Sequence, residues 1–257
     1  AIRAEGFDLA ALPMERGSLN PLKEARTVWA ISRLLARHRP DVVHAVALKP
    51  IIDVGLAAAF RRDVVVINAF AGMGAILGAG TARRHPLTRL LAGGVRGLSR
   101  LNRAHTIVQN SDDRDVVIDG GVAPAHRVVL IPGSGVDVSV FTPAPEPAGP
   151  VTVMMVSRLL RDKGVGELVE AARLLRARGL SLRVRIVGDR DPANPNSVSH
   201  EEIAGWTAAG EVEFLGRRSD IAELWRQAHI ATLPSYYGEG VPKSLLEAAA
   251  SGRPIVT

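Results

Sequence analysis

Short apolar runs rich in Val and Ile alternate along the chain with stretches whose apolar positions recur at helical spacing. The runs at 41–46, 63–68, 105–109, 127–131, 151–156, 182–187 and 230–233 are almost continuously hydrophobic and predict strands. The stretches at 22–38, 86–103 and 166–178 predict helices. Strands without polar alternation belong to parallel sheets covered by helices on both faces.

The alternation is interrupted at Phe141-Thr142-Pro143-Ala144-Pro145-Glu146-Pro147-Ala148-Gly149-Pro150, where four prolines exclude regular structure. It restarts at once afterwards. The expected fold is therefore α/β, with two Rossmann-like domains of parallel sheet over 1–142 and 151–257, a Pro-rich linker at 143–150, and a cleft between the domains. The apolar segment at 7–13 enters a helix as though strands preceded it, and 254–257 stop inside an apparent strand. Both domains are expected to be truncated, and the chain to be a fragment of a longer protein. About four strands are expected in the second domain.

Composition narrows the picture. With 257 residues and 47% hydrophobic content the chain can bury a sizeable core. The absence of cysteine excludes disulfides and thiolate metal sites and agrees with a reducing, cytoplasmic setting. No apolar run is long enough to span a bilayer. The net charge of +6 sits entirely in residues 1–145, which hold 18 Lys/Arg against 12 Asp/Glu, whereas 146–257 hold 14 of each. A basic surface favours anionic partners. Aromatic content of 4% argues against a stacking platform for single-stranded nucleic acid, and no nucleic-acid motif is present.

The chemistry concentrates in four segments. Ser157-Arg158-Leu159-Leu160-Arg161-Asp162-Lys163-Gly164 follows a predicted strand, so Arg158 and Lys163 stand where parallel sheets bind ligands. As a fork and a point charge they suit a pyrophosphate; the ordinary alternative is a solvated loop. Gly188, in Val187-Gly188-Asp189, allows a ligand close to the backbone, though it is equally a normal strand-to-loop glycine. Glu213-Phe214-Leu215-Gly216 offers a strand end whose backbone, at Leu215, can read a base edge. Finally, Glu239-Gly240-Val241-Pro242-Lys243-Ser244-Leu245-Leu246-Glu247 places two carboxylates around the start of a helix predicted over 242–251, with Pro242 as its first residue. The N–H groups around Gly240, Val241, Lys243 and Ser244 attract anions, and the carboxylates accept from hydroxyls.

In this order the segments resemble retaining glycosyltransferases of the GT4 family, which have the GT-B fold. The spacing of Glu239 and Glu247 matches that family's Glu-x7-Glu motif. Asp41-Val42-Val43-His44, Asn68-Ala69-Phe70-Ala71-Gly72-Met73-Gly74, Asn110-Ser111-Asp112, and Ile131 to Asp137 with Phe141-Thr142-Pro143 are similar to members that build capsule, O-antigen or lipid-linked oligosaccharides. The resemblance covers nearly the whole chain. It implies that the first domain takes the acceptor and the second a nucleotide-sugar. Glu239 would contact donor-sugar hydroxyls and Glu247 the ribose. Arg158 and Lys163 would hold the diphosphate and stabilise the leaving nucleotide, and Gly240 to Ser244 would meet sugar or phosphate. It also implies no cofactor and no essential metal. The carboxylates grip the donor and form no acid/base couple. The donor is expected to be a UDP-sugar, the acceptor a lipid-linked or polysaccharide glycan, and the transferred group a hexosyl or N-acetylhexosaminyl residue.

Acceptor candidates are His44, expected at the end of its strand, and Lys49; His44 is equally read as hydrogen-bonded within the domain. A histidine that many relatives carry near Asn68 to Gly72 has no counterpart here. Arg83, Arg84, Arg89, Arg96, Arg100 and Arg103 fall in an acid-free span with Leu and Val at helical spacing. They form a basic amphipathic helix for an anionic membrane surface, at the inner face of the plasma membrane, or an ordinary core-facing helix. A nucleotide-sugar epimerase of similar architecture fits the Arg158/Lys163 and Glu239/Glu247 pattern poorly. A non-catalytic nucleotide-sugar-binding fragment is the remaining alternative.

Overall fold

A computed structural model describes residues 5–15, 20–70, 86–236 and 239–257. The chain forms two compact units, Ala1–Ile131 and Pro132–Thr257. The division thus falls ahead of the Pro-rich stretch, and residues 143–150 pack with the second unit. The reason is Arg253, 4% exposed, whose guanidinium donates to the carbonyls of Ala144, Pro145 (3.2 Å) and Ala228 (3.0 Å).

The first unit holds a parallel sheet in the order β1-β2-β3-β4, with β1 Val42–Val46, β2 Val65–Ala69, β3 His105–Val108 and β4 Val128–Leu130. Helices α1 (Pro21–His38), α2 (Leu48–Ala57), α3 (Pro86–Leu101) and α4 (Ser111–Asp119) accompany it. α1 starts where Asn20 accepts from the Leu22 N–H at 3.0 Å and Pro21 fixes φ, and it buries Thr27, Ile31 and Leu35 at helical spacing. The core joins Ile51, Val66, Val95 and Val108, all nearly inaccessible.

The second unit has five parallel strands in the order β7-β6-β5-β8-β9: β5 Val151–Val156, β6 Leu182–Val187, β7 Glu213–Phe214, β8 Ile230–Thr232 and β9 Ile255–Val256. That is one more than the expected number of about four, and the two shortest, β7 and β9, coincide with the strand end read at 213–216 and the apparent strand at 254–257. Helices α5 (Val165–Ala177), α6 (His200–Ala208), α7 (Ile221–Arg226) and α8 (Lys243–Ala250) follow. On the central strand β5, Met154 and Met155 are both buried but enter different clusters, Met154 with Trp225 and Ala248, Met155 with Val165 and Ile186. Adjacent residues of a strand face opposite sides, so this sheet is covered on both faces, as its unbroken hydrophobicity requires. α6 is opened by a reciprocal capping box between Ser199 and Glu202.

Candidate functional site

Two loops at the carboxyl end of the second sheet come together. The first leaves β5, carries Ser157 and Arg158, makes a single helical turn at Arg161–Lys163 and enters α5 through Gly164 (φ 78°). The second leaves β8 and leads to α8. They are joined where the Asp162 carbonyl accepts from Ser235 Oγ (3.1 Å) and the Tyr236 N–H (3.3 Å). The fit is close enough that a Cβ at Gly164 would collide with the Pro234 carbonyl. This brings Lys163 Nζ into an ion pair with Glu239. Glu239 lies 2.9 Å from the same Ser235 hydroxyl and shares its single proton with the Asp162 carbonyl. Both charged side chains are largely buried, with 16% and 22% exposure.

α8 begins at Lys243. Pro242 is its extended N-cap (φ −62°, ψ 120°), so the helix starts one residue later than expected and ends at Ala250. The Leu245 and Leu246 N–H groups bond to the Pro242 carbonyl, whereas no side chain caps the helix. The N–H groups of Lys243 and Ser244 therefore lack an intrahelical acceptor. Glu247, one turn on, is 13% exposed and lies 3.9 Å from the exposed Lys243 amine. Burial pushes its carboxyl above the ordinary carboxylate range, against the pull of Lys243. Gly133 (φ 68°) sets the 131–137 segment against this turn: a Cβ there would stand 3.0 Å from Val241 Cβ and 3.2 Å from Leu246 Cδ1. Gly240 and Val241 complete the turn half-buried, and the neighbouring Tyr237 and Gly238 lie outside the described residues.

Arg158 is exposed and pairs with Asp191 Oδ2 at 2.8 Å. The segment after β6 is laced to the same loop, with Arg161 N donating to Asn196 O (2.8 Å) and Val198 N to Leu159 O (2.9 Å). Asp191 itself is steadied by Ser197 Oγ, which accepts from its N–H at 3.1 Å. Sequence reasoning missed Asp191 and Ser235. Neither belongs to a spaced motif, and each is recognised only through the partner that folding brings to it.

Two expected ligand contacts acquire internal explanations. Gly188 (φ 143°) is required because a Cβ would collide with the Ser157 carbonyl, so it is the protein's own backbone that approaches it. The Leu215 N–H is engaged with the Ile186 carbonyl at 2.9 Å.

In the first unit, His44 occupies the middle of β1, not its end, opposite Ile67. It is exposed, and no side-chain hydrogen bond to it is seen among the described residues, unlike the internally bonded histidine considered above. Lys49, in the first turn of α2, donates to Glu24 Oε1 (2.9 Å) and the Glu15 carbonyl (2.7 Å), which ties α1 to α2. That internal occupation accounts for its charge. On α3, Val95 is buried in the core while Leu90 (73%) and Leu101 (56%) remain exposed beside Arg89 and Arg100. Arg83 and Arg84, like residues 71–74 of the Asn68 segment, lie outside the described residues. None of the described helices is long and apolar enough to cross a membrane.

Two successive parallel α/β units share their fold with solved GT-B glycosyltransferase structures. HepE of Anabaena, solved with UDP-glucose, superposes with a TM-score of 0.70 over 92% of this chain and 64% of its own, at 20% identity. Residues 150–257 match the model of the family Glycosyl transferases group 1, in agreement with the resemblance read from the motif order. The N,N'-diacetylbacillosaminyl-diphospho-undecaprenol alpha-1,3-N-acetylgalactosaminyltransferase of Campylobacter jejuni is 27% identical over 99% of this chain. The D-inositol 3-phosphate glycosyltransferase of Nocardiopsis dassonvillei is 28% identical over 79%. The chain spans 68% and 51% of the lengths of these two relatives.

Proposed function

We propose that the chain is part of a glycosyltransferase that moves a sugar from a nucleotide donor, a UDP-sugar, to a lipid-linked or polysaccharide acceptor in cell-surface glycan synthesis. The observation that carries this reading is the convergence of Lys163, Glu239 and Ser235 beside the α8 start, with Glu247 one turn further on. In this reading Glu247 holds the ribose and Glu239 the sugar hydroxyls, while Arg158, Lys163 and the α8 N–H groups meet the diphosphate. Charge grows on the leaving nucleoside diphosphate as the bond from the sugar C1 to phosphate oxygen breaks, and the cations stabilise it. The acceptor hydroxyl attacks C1 from the same face and passes its proton to the departing phosphate oxygen, which gives retention.

Neither carboxylate acts as a general acid, and protein cations stand in for a metal. The transferred group is a hexosyl or N-acetylhexosaminyl residue, the latter being what the Campylobacter relative is named for. Work at the inner face of the plasma membrane suits the basic first unit and an acceptor carried on lipid.

A thermal-shift screen of nucleotide sugars on the full-length protein tests this reading, since a ligand of the folded state raises the melting point. A UDP-sugar should stabilise wild type and fail to stabilise Glu247→Ala. Equal stabilisation of both would refute the site. Turnover that survives EDTA would support metal independence.

A further inference from the structure

The amino edge of the first sheet is lined with arginine, and nothing in the proposed transfer uses it. Each strand there is entered through a loop that carries an arginine within three residues of the strand: Arg39 before β1, Arg62 before β2, Arg103 before β3 and Arg127 before β4. Topology thus gathers four separate sequence positions onto one side of the sheet, opposite the carboxyl ends where open α/β sheets bind their principal ligands. Between the last three lies a groove of about 640 Å³, bordered also by Arg61, His105 and Phe60. That volume is in the range of small-molecule sites.

Three observations separate this groove from a merely solvated basic surface. First, the charge is unbalanced. Asp63 pairs with Arg61 at 3.1 Å, whereas Arg62, Arg103 and Arg127 have no ion pair among the described residues. Second, three non-glycine residues with positive φ are found among the described residues, and two of them are arginines of this edge, Arg39 (φ 43°) and Arg103 (φ 49°). Glycine or asparagine would adopt that conformation more cheaply, so the side chains, not the turns, explain the choice. Third, Phe60 is 95% exposed at the rim, and Val64 and Leu101 give the groove an apolar wall. An aromatic left in water beside guanidinium groups presents a face for a flat or apolar ligand portion.

We propose that this groove binds a soluble phosphorylated small molecule of nucleotide size. Its phosphates would be met by Arg62, Arg103 and Arg127, whose forked donors match phosphate oxygens, and its flat portion by Phe60. The cations line a concavity and not one helix face, which favours a compact ligand over a lipid surface.

The probe is ADP, titrated calorimetrically into the full chain carrying Lys163→Ala, so that the second unit's cation does not contribute. Saturable binding is expected. Arg103→Asn combined with Arg127→Gln should weaken it at least tenfold, since each removes a charge-assisted bond. Asparagine tolerates the positive φ at 103, and unchanged melting will verify that the pair folds. Phe60→Ala, at an almost fully exposed position, should weaken binding several-fold without disturbing the fold. The proposal is overturned if ADP does not bind at millimolar concentration or if the variants leave its affinity unchanged. It is also overturned if the arginines affect only attachment to phosphatidylglycerol vesicles.

Discussion

Lys163 and Glu239 stand 76 positions apart in sequence and share an ion pair in a site sealed by the contact of two loops. If the two act as one unit on the donor, their removal is not additive. Lys163→Ala and Glu239→Ala should each lower kcat by about 100-fold or more, the scale of losing one stabiliser of developing charge. The double variant should be little worse than either. Steady-state kinetics of the full-length protein would show this; independent, multiplying losses would argue against a shared role. Ser235→Ala, which removes one neutral donor to Glu239, should cost about 1 kcal/mol, or roughly fivefold in rate.

In its proposed role Glu247 would set stability against function. Its folded pKa is raised by burial, so the protonated form is favoured in the fold. The resulting stability is fully present below the ordinary carboxylate pKa and declines as pH rises through the folded value. Glu247→Gln should therefore melt higher than wild type at pH 7 and lose that part of the pH slope. If Glu247 holds the ribose as proposed, the same change should weaken nucleotide binding about tenfold, because a charged acceptor of hydroxyls is gone. Differential scanning calorimetry across pH, paired with titration of UDP, reads both; a lower melting point at pH 7 would contradict the burial argument.

Asp191 holds Arg158 in an ion pair, and would compete with phosphate for it if Arg158 meets the diphosphate as proposed. Since Arg158 is about half exposed, the ion pair itself is weak. Asp191→Asn should raise UDP affinity a few-fold by removing the competing charge. A fall in affinity would mean instead that Asp191 orients the guanidinium.

Gly188→Ala should destabilise the second unit by about 2 kcal/mol or more, since the new Cβ would meet the Ser157 backbone carbonyl and the residue would keep a positive φ. A shifted urea midpoint with unchanged slope is the expected signature. A stable variant with impaired nucleotide binding would restore the ligand-contact reading of this glycine.

The long elements were legible because burial writes itself into hydrophobic period. β5 and β6 have the residue ranges expected of them, and α1 and α5 are displaced by a single residue at one or both ends. β7 and β9 were legible only as a strand end at 213–216 and an apparent strand at 254–257, since two residues carry too little pattern to fix their bounds. The same limit governs the site. Glu239 and Glu247 share one turn-and-helix segment, so their spacing encodes their proximity. The pairs Arg158–Asp191 and Lys163–Glu239 depend on which loops leave the same end of the sheet. Lys49 shows the converse: a lysine placed suggestively after a strand serves the packing of α1 on α2.

Arg253 sets where the second unit can be cut. Its guanidinium satisfies the carbonyls of Ala144 and Pro145 from within the unit. A truncated version starting at Val151, as the strand pattern alone would suggest, would leave a buried charge with one guanidinium nitrogen unmet, though its bonds to Ala228 and Ser251 would remain. One starting before Pro143 would keep that nitrogen paired, so expression of a well-folded second unit should depend on retaining those few residues of irregular chain.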